Sequence, residues 1–175
     1  MTKNNFSILK LKKNQVKHLL ETLSTYYQCE TKELNSKYFY TTPKGKVYIC
    51  EENIAVLENQ QNIHPNEITF PRINSIGMYF GTYHDEERFR LSIEGSALLD
   101  PKANFIELKD ENALKSYISA ENITKEEVSN YDHSNHCPFL IVRYNGNSIG
   151  SVSPKEGMFI NYVPKSRKLE YSKLF

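Results

Sequence analysis

Residues Ile73–Leu99 read INSIGMYFGTYHDEERFRLSIEGSALL, and in this stretch two glycines, a basic-aromatic run and an apolar segment follow one another without a break. Gly77 and Gly81 stand among β-formers, Ile76, Met78, Tyr79, Phe80 and Tyr83. Four residues is an even step, so in an extended segment both glycines share one face and leave room for a second backbone. After the acidic turn His84 to Glu87, the order Arg88, Phe89, Arg90, Leu91 predicts a strand with its arginines toward solvent and its apolar side chains toward a core. Ser92 then suits the N-cap of a short helix carrying Ile93, Ala97 and Leu98. Helix N-terminal amides beside two arginines are a combination that favours phosphate.

Outward from this stretch, the chain of 175 residues is long enough for one large domain or two small ones. Charge balances to +1, so no gross basic excess announces nucleic acid, but its distribution is uneven. Five lysines and no acid lie between Lys3 and His18, and four basic residues accompany Glu170 from Lys165 onward, whereas six acids outnumber three lysines between Glu107 and Glu127. Basic ends around an acidic flank allow one anion-seeking face. Cys29, Cys50 and Cys137 are odd in number and widely spaced, which predicts reduced, unlinked thiols in a reducing compartment. With neither a signal-like apolar stretch nor a run of membrane-spanning length, the expectation is a cytoplasmic protein without a membrane partner.

Toward the N-terminus, Val16, Leu19, Leu20, Leu23 and Tyr26 predict an amphipathic helix over residues 13–26. KYFYTT (37–42) and KVYIC (46–50), separated by Pro43-Lys44-Gly45, predict a hairpin. A helix over 51–60 and a polar linker to Pro71 place a domain boundary near residue 71, with 1–71 as an N-terminal α/β domain. Residues 72–175 are expected to close a β-barrel of their own. Its parts are the two strands already described, a strand over 103–109, a helix over 110–118 capped by Asp110, a loop over 122–135, and a strand over 138–144. Asn145-Gly146 is a two-residue hairpin signal leading into strands over 148–153 and 158–163. The class is therefore α+β.

Chemistry-bearing clusters are few. His133, His136 and Cys137 in DHSNHC form a candidate metal site that needs a distant fourth ligand such as Cys50 or Asp132, and a metal-dependent enzyme built there is one reading of the chain. A polar loop holding two histidines is the other. His84-Asp85 beside Glu86 and Glu87 has acid-base character, but no nucleophile sits in a recognisable setting and no glycine-rich phosphate loop exists. The expectation is no catalytic residue, no metal and no cofactor. Tyr79, Tyr83, Arg88, Arg90, Arg143, Tyr144, Tyr162, Lys165, Arg167 and Lys168 instead mix cations for phosphate with aromatic faces for unstacked bases.

SIGMYFGTYHDEERFRLSIEGSALLDP, preceded by KVYICEENIAVL, resembles the pre-PUA plus PUA arrangement of the Nip-type ribosome-assembly proteins, in which a strand, a glycine-bearing segment and an FRL motif occur in this order. IGSVSPKEGMFINYVPKSRKL resembles the PUA-like tail of the Fmu/Sun-type rRNA cytosine methyltransferases. Together the two cover roughly residues 37–169. They imply an N-terminal α/β pre-PUA-like domain followed by a PUA-like pseudo-barrel that binds ribosomal or precursor RNA during ribosome biogenesis. They also imply Gly77, Gly81 and Gly150 as the structural glycines of the motifs. The methyltransferase region is lacking, so the resemblance points to RNA binding without chemistry, through Tyr83, Arg88, Arg90, Arg143, Lys165, Arg167 and Lys168. A ribosome-assembly factor is an implied partner. The alternative is an accessory subunit that targets a separate RNA methyltransferase or other RNA-modifying enzyme. On either reading, strand 88–90 and segment 164–168 are expected to border one RNA-facing surface.

Overall fold

The computed structural model describes residues 8–53, 76–85, 87–133 and 137–169. The expected helix over 51–60 beyond Asn53, the linker to Pro71, Glu86 and His136 lie outside the described residues.

Helix α1 (Lys13–Tyr27) forms as its stripe predicts, burying Leu19, Leu20, Leu23 and Tyr27. Gln15 caps its start, accepting from the Lys12 amide at 2.9 Å, and Gln28 ends it in a left-handed conformation. The predicted hairpin is β2 (Tyr38–Thr41) against β3 (Lys46–Cys50). With β1 (Leu9–Lys10), β4 (Met78–Tyr83) and β5 (Phe89–Leu91) these make a five-stranded antiparallel sheet in chain order. In β5 the alternation holds: Phe89 and Leu91 are buried while Arg90 is half-buried and Arg88 exposed.

The second sheet comprises β6 (Phe105–Leu108), β7 (Ile123–Thr124), β8 (Val128–Asp132), β9 (Leu140–Tyr144), β10 (Asn147–Lys155) and β11 (Met158–Asn161), in the order β7-β11-β10-β9-β6-β8. Only β6 and β9 run parallel. Its outer strands, β7 and β8, are joined by the three-residue turn Lys125–Glu127. Laid flat, six strands would set these edges about 24 Å apart, whereas the four steps from Thr124 to Val128 span at most about 14 Å. The sheet must therefore curl into a half-barrel, and Tyr131 of β8 meets Phe159 of β11 across the seam with ring centroids 6.1 Å apart. The loop expected over 122–135 is thus largely strand and turn. β8 escapes the alternation rule because it is an edge strand with exposed side chains on both faces.

Helix α2 (Ile93–Ser96) and helix α3 (Glu111–Ile118) are both capped as the sequence predicts: Ser92 Oγ accepts from Gly95 N–H at 2.8 Å, and Asp110 Oδ1 from Asn112 and Ala113 N–H. Ser92 also donates to the Tyr79 carbonyl at 2.6 Å. Ser92→Ala removes a cap and leaves that carbonyl short of a partner, so a loss of about 1–2 kcal/mol is expected, read as a lowered urea midpoint at constant m.

β9 explains its own continuous apolar sequence. Ile141 enters one core with α1, Phe39, Val47, Phe80, Phe89 and Leu91, while Leu140 and Val142 enter the other with Ile106, Tyr117, Ile123, Val152 and Phe159. Both faces of the strand are buried, so none needs polar residues. Polar contacts tie the second half of the chain to the first sheet and to α1: Ser151 Oγ donates to the Leu91 carbonyl at 2.9 Å, Tyr27 OH of α1 to the Phe139 carbonyl at 3.2 Å, and Asn104 Nδ2 to the Tyr26 carbonyl of α1 at 2.6 Å. β3 pairs with β4 from Lys46↔Thr82 to Ile49↔Met78, so hydrogen bonds of one sheet connect the two sides of the boundary expected near residue 71.

Candidate nucleic-acid interface

β5 delivers Arg90 to the seam between the two sheets. Its guanidinium lies over the Tyr162 ring, 4.3 Å from the centroid, and its Nε–H donates to His84 Nε2 at 3.2 Å. Tyr162 also meets Phe139 edge-on at 5.9 Å, and Phe139 meets His84 at 5.1 Å. Arg90, His84, Phe139 and Tyr162, drawn from three separate parts of the chain, thus form one cluster with a half-buried cation over an aromatic face. His84, Phe139 and Tyr162 line an open cleft of about 420 Å³ together with Arg88 and His133. Burial, then Arg90, then Arg88, hold the His84 imidazole below its ordinary pKa of 6.5, with Asp85 opposing them weakly. The ring is therefore neutral at pH 7 and accepts from Arg90.

Asp85 has a structural task. It accepts from the Glu87 and Arg88 amides at 3.1 and 2.7 Å and from the Arg88 side chain, whose hydrogen bonds lower its pKa. No His–Asp acid-base pair forms here, since the His84 contact is a cation.

The other expected binding residues divide. Lys165 and Lys168 are exposed around the short turn Lys165–Arg167 that follows Tyr162. Arg167 in that turn is engaged by Glu94 of α2. Arg143 faces Glu107 at 3.4 Å, with both side chains about one-fifth exposed, and its guanidinium lies 4.9 Å from the Phe105 ring, so it joins β9 to β6. Tyr83 packs edge-on against Phe89 at 4.8 Å, and burial raises its pKa. Arg88 lines the cleft and Arg90 stacks on Tyr162, Lys165 and Lys168 are exposed in the segment that follows Tyr162, and Arg143 and Tyr83 pack against Glu107, Phe105 and Phe89.

The glycines serve close approach, but not on one face. Gly77 precedes β4 in a left-handed turn (φ +55°), where a Cβ would stand 2.3 Å from the Ile49 carbonyl oxygen, and Gly81 meets β5, 2.4 Å from the Arg90 carbonyl oxygen. A bulge opposite Val47 and Tyr48 breaks the even step between them. At Gly150 a Cβ would stand 1.9 Å from the Tyr117 hydroxyl. The phosphate site expected at α2 does not form: its Gly95 amide is held by Ser92, and both residues are buried.

Of the candidate metal ligands, His133 Nε2–H donates to the Cys137 carbonyl at 3.1 Å, and the Cys137 thiol donates to the Phe139 carbonyl at 2.9 Å. Among the described residues no three His, Cys, Asp or Glu side chains converge for a metal. The three thiols are unlinked and buried, and burial raises all three pKa values, Cys29 to about 11. At pH 7 none is a thiolate.

No family model and no curated protein sequence matches the chain. Among solved structures it is similar to that of a conserved PUA domain protein from Thermoplasma acidophilum, with a TM-score of 0.57 over 89% of this chain and 93% of that one, at 13% identity. At that identity the likeness is one of architecture, and it makes the fold of this chain α+β and PUA-like.

Proposed function

We propose that this chain binds RNA through the seam between its two sheets, without chemistry of its own. The observation that carries the reading is an open cleft lined by Tyr162, His84, Phe139 and Arg88, with Arg90 stacked on Tyr162. Cations beside aromatic faces are what phosphates and unstacked bases require together. The PUA-like fold supports the same reading, since the resemblance in the sequence associates that fold with structured RNA. The resemblance to Nip-type proteins extends the proposal to ribosomal or precursor RNA in ribosome biogenesis, in the cytoplasm, beside an assembly factor. The resemblance to the Fmu/Sun-type tail gives the second form, an RNA-targeting subunit beside a separate methyltransferase. Raised thiol pKa values and a cation-bound His84 support a binding role over a catalytic one.

The test uses exposed cations whose loss leaves the packing intact. Arg90 and Arg167 are unsuitable, the first because it sits in the stack and the second because its removal strands Glu94. In the variant Arg88→Gln, Lys165→Gln, Lys168→Gln, affinity for an rRNA fragment is expected to fall by up to about 1 kcal/mol per contact. The slope of log K against log salt should become shallower by about 0.7 per contact removed. Titrations at several salt concentrations measure both. An unchanged slope in a folded variant removes this surface from RNA binding.

A further inference from the structure

The cleft at Arg88 and Tyr162 adjoins a second one of about 290 Å³, and His133 and Pro154 line both. The second cleft opens on the seam of the half-barrel. Tyr131, 52% exposed, stands there with its ring braced edge-on by the buried Phe159. Lys125 and Lys155, both exposed, flank it, with Glu156 as the one acid in its lining among the described residues. Each half thus repeats one pattern, an aromatic face with a cation beside it: Tyr162 with Arg88 in the first, Tyr131 with Lys125 and Lys155 in the second. His133 sits on the saddle between them, its ring fixed by the Cys137 carbonyl.

We propose that the two clefts form one groove for an unpaired stretch of RNA, with successive bases resting on Tyr162 and on Tyr131 while the backbone crosses at His133. This rests on the RNA-binding reading above and narrows it to single-stranded RNA. The chemistry favours that occupant in two ways. Each volume lies near the lower end for a small-molecule pocket, about 300 Å³, which suits one unstacked nucleoside and not the width of a helix. A paired stem offers its phosphates but keeps its bases stacked inward, so the two aromatic faces would have nothing to cover. An acidic peptide would use the cations and leave those faces equally bare.

The experiment compares three probes on the full chain: a fluorescent oligouridine of about eight nucleotides, within the range of single-strand site sizes, a duplex of similar charge, and a polyglutamate peptide. Wild type is expected to bind oligouridine best. The variant Tyr131→Ala, Lys155→Gln should lose roughly tenfold on oligouridine and little on the duplex, because a lost base stack is worth more than a lost exposed ion pair. Loss of oligouridine binding in the Arg88/Lys165/Lys168 variant alone, with the Tyr131/Lys155 variant at wild-type affinity, overturns the groove and leaves RNA binding standing. Preference for duplex or for polyglutamate also overturns it. If no RNA binds, both readings fall. Because Tyr131 closes the barrel seam, a 4-thiouridine crosslink map on wild type keeps the proposal testable where the variant unfolds. Adducts are expected at Tyr131, His133 or Tyr162, and adducts confined to other surfaces sink it.

Discussion

Gly95→Ala is expected to cost about 3 kcal/mol or more. A Cβ at Gly95 would stand 2.0 Å from the Phe80 carbonyl oxygen. That oxygen belongs to a strand flanked on both sides, and it already accepts from Ser92 N–H at 2.9 Å. α2 cannot retreat as a unit. Ser92 pins its start to the Tyr79 carbonyl, and β5 immediately before it is bonded to β10 through Ser151 and Leu91. Relief requires breaking one of these contacts or opening the core at Phe80, which is fully buried. Gly157→Ala supplies the contrast. Its φ is +84° but a Cβ there meets nothing within 4 Å, so only the backbone strain of about 1–2 kcal/mol applies. Urea unfolding of both variants separates the two costs. Similar midpoints for Gly95→Ala and Gly157→Ala would mean that α2 has slack that the contacts at Ser92 do not suggest.

The elements legible in the sequence are those whose cause is local. α1, the β2–β3 hairpin, the caps at Ser92 and Asp110, and the left-handed Asn145-Gly146 turn each arise from residues within a few positions of one another. β9 was legible for a different reason, since burial on both faces leaves an unbroken apolar run. What the sequence concealed is set by distant partners. Arg143 and Arg167 read as cations open to RNA, yet Glu107 and Glu94 engage them, the latter across 73 positions. The single face expected for Gly77 and Gly81 assumed an unbroken register, and a bulge in β4 removes it. β8 carries no pattern because an edge strand with both faces wet has nothing to alternate. The candidate site follows the same division: Arg88 and Arg90 were visible as a strand with charge on one side, whereas His84, Phe139, Tyr131 and His133 join them only because the half-barrel closes beside β5.

That closure leads to the second large effect, expected in a fragment beginning at residue 72. Its strands β4 and β5 would keep their own pairing but lose β3, and with it every hydrogen bond from Lys46↔Thr82 to Ile49↔Met78. Phe80, Phe89 and Leu91 would lose α1 and Phe39, whose ring meets Phe80 at 5.6 Å. Three large side chains left without cover cost on the order of 5–9 kcal/mol, as much as the whole stability of many domains. A two-stranded ribbon cannot stand alone under that loss. The six-stranded sheet fares differently, because the buried residues of its core, from Ile106 to Val163, all lie within the fragment. In the 72–175 fragment we therefore expect amide protection over residues 105–161 and exchange at unfolded rates over 78–91. A shorter fragment beginning near Asp100 should be as well protected as the longer one. Hydrogen exchange on the intact chain and both fragments decides the matter. If 78–91 remain protected in the 72–175 fragment, the chain does divide near residue 71, and the pairing of β3 with β4 is a contact between two independent units.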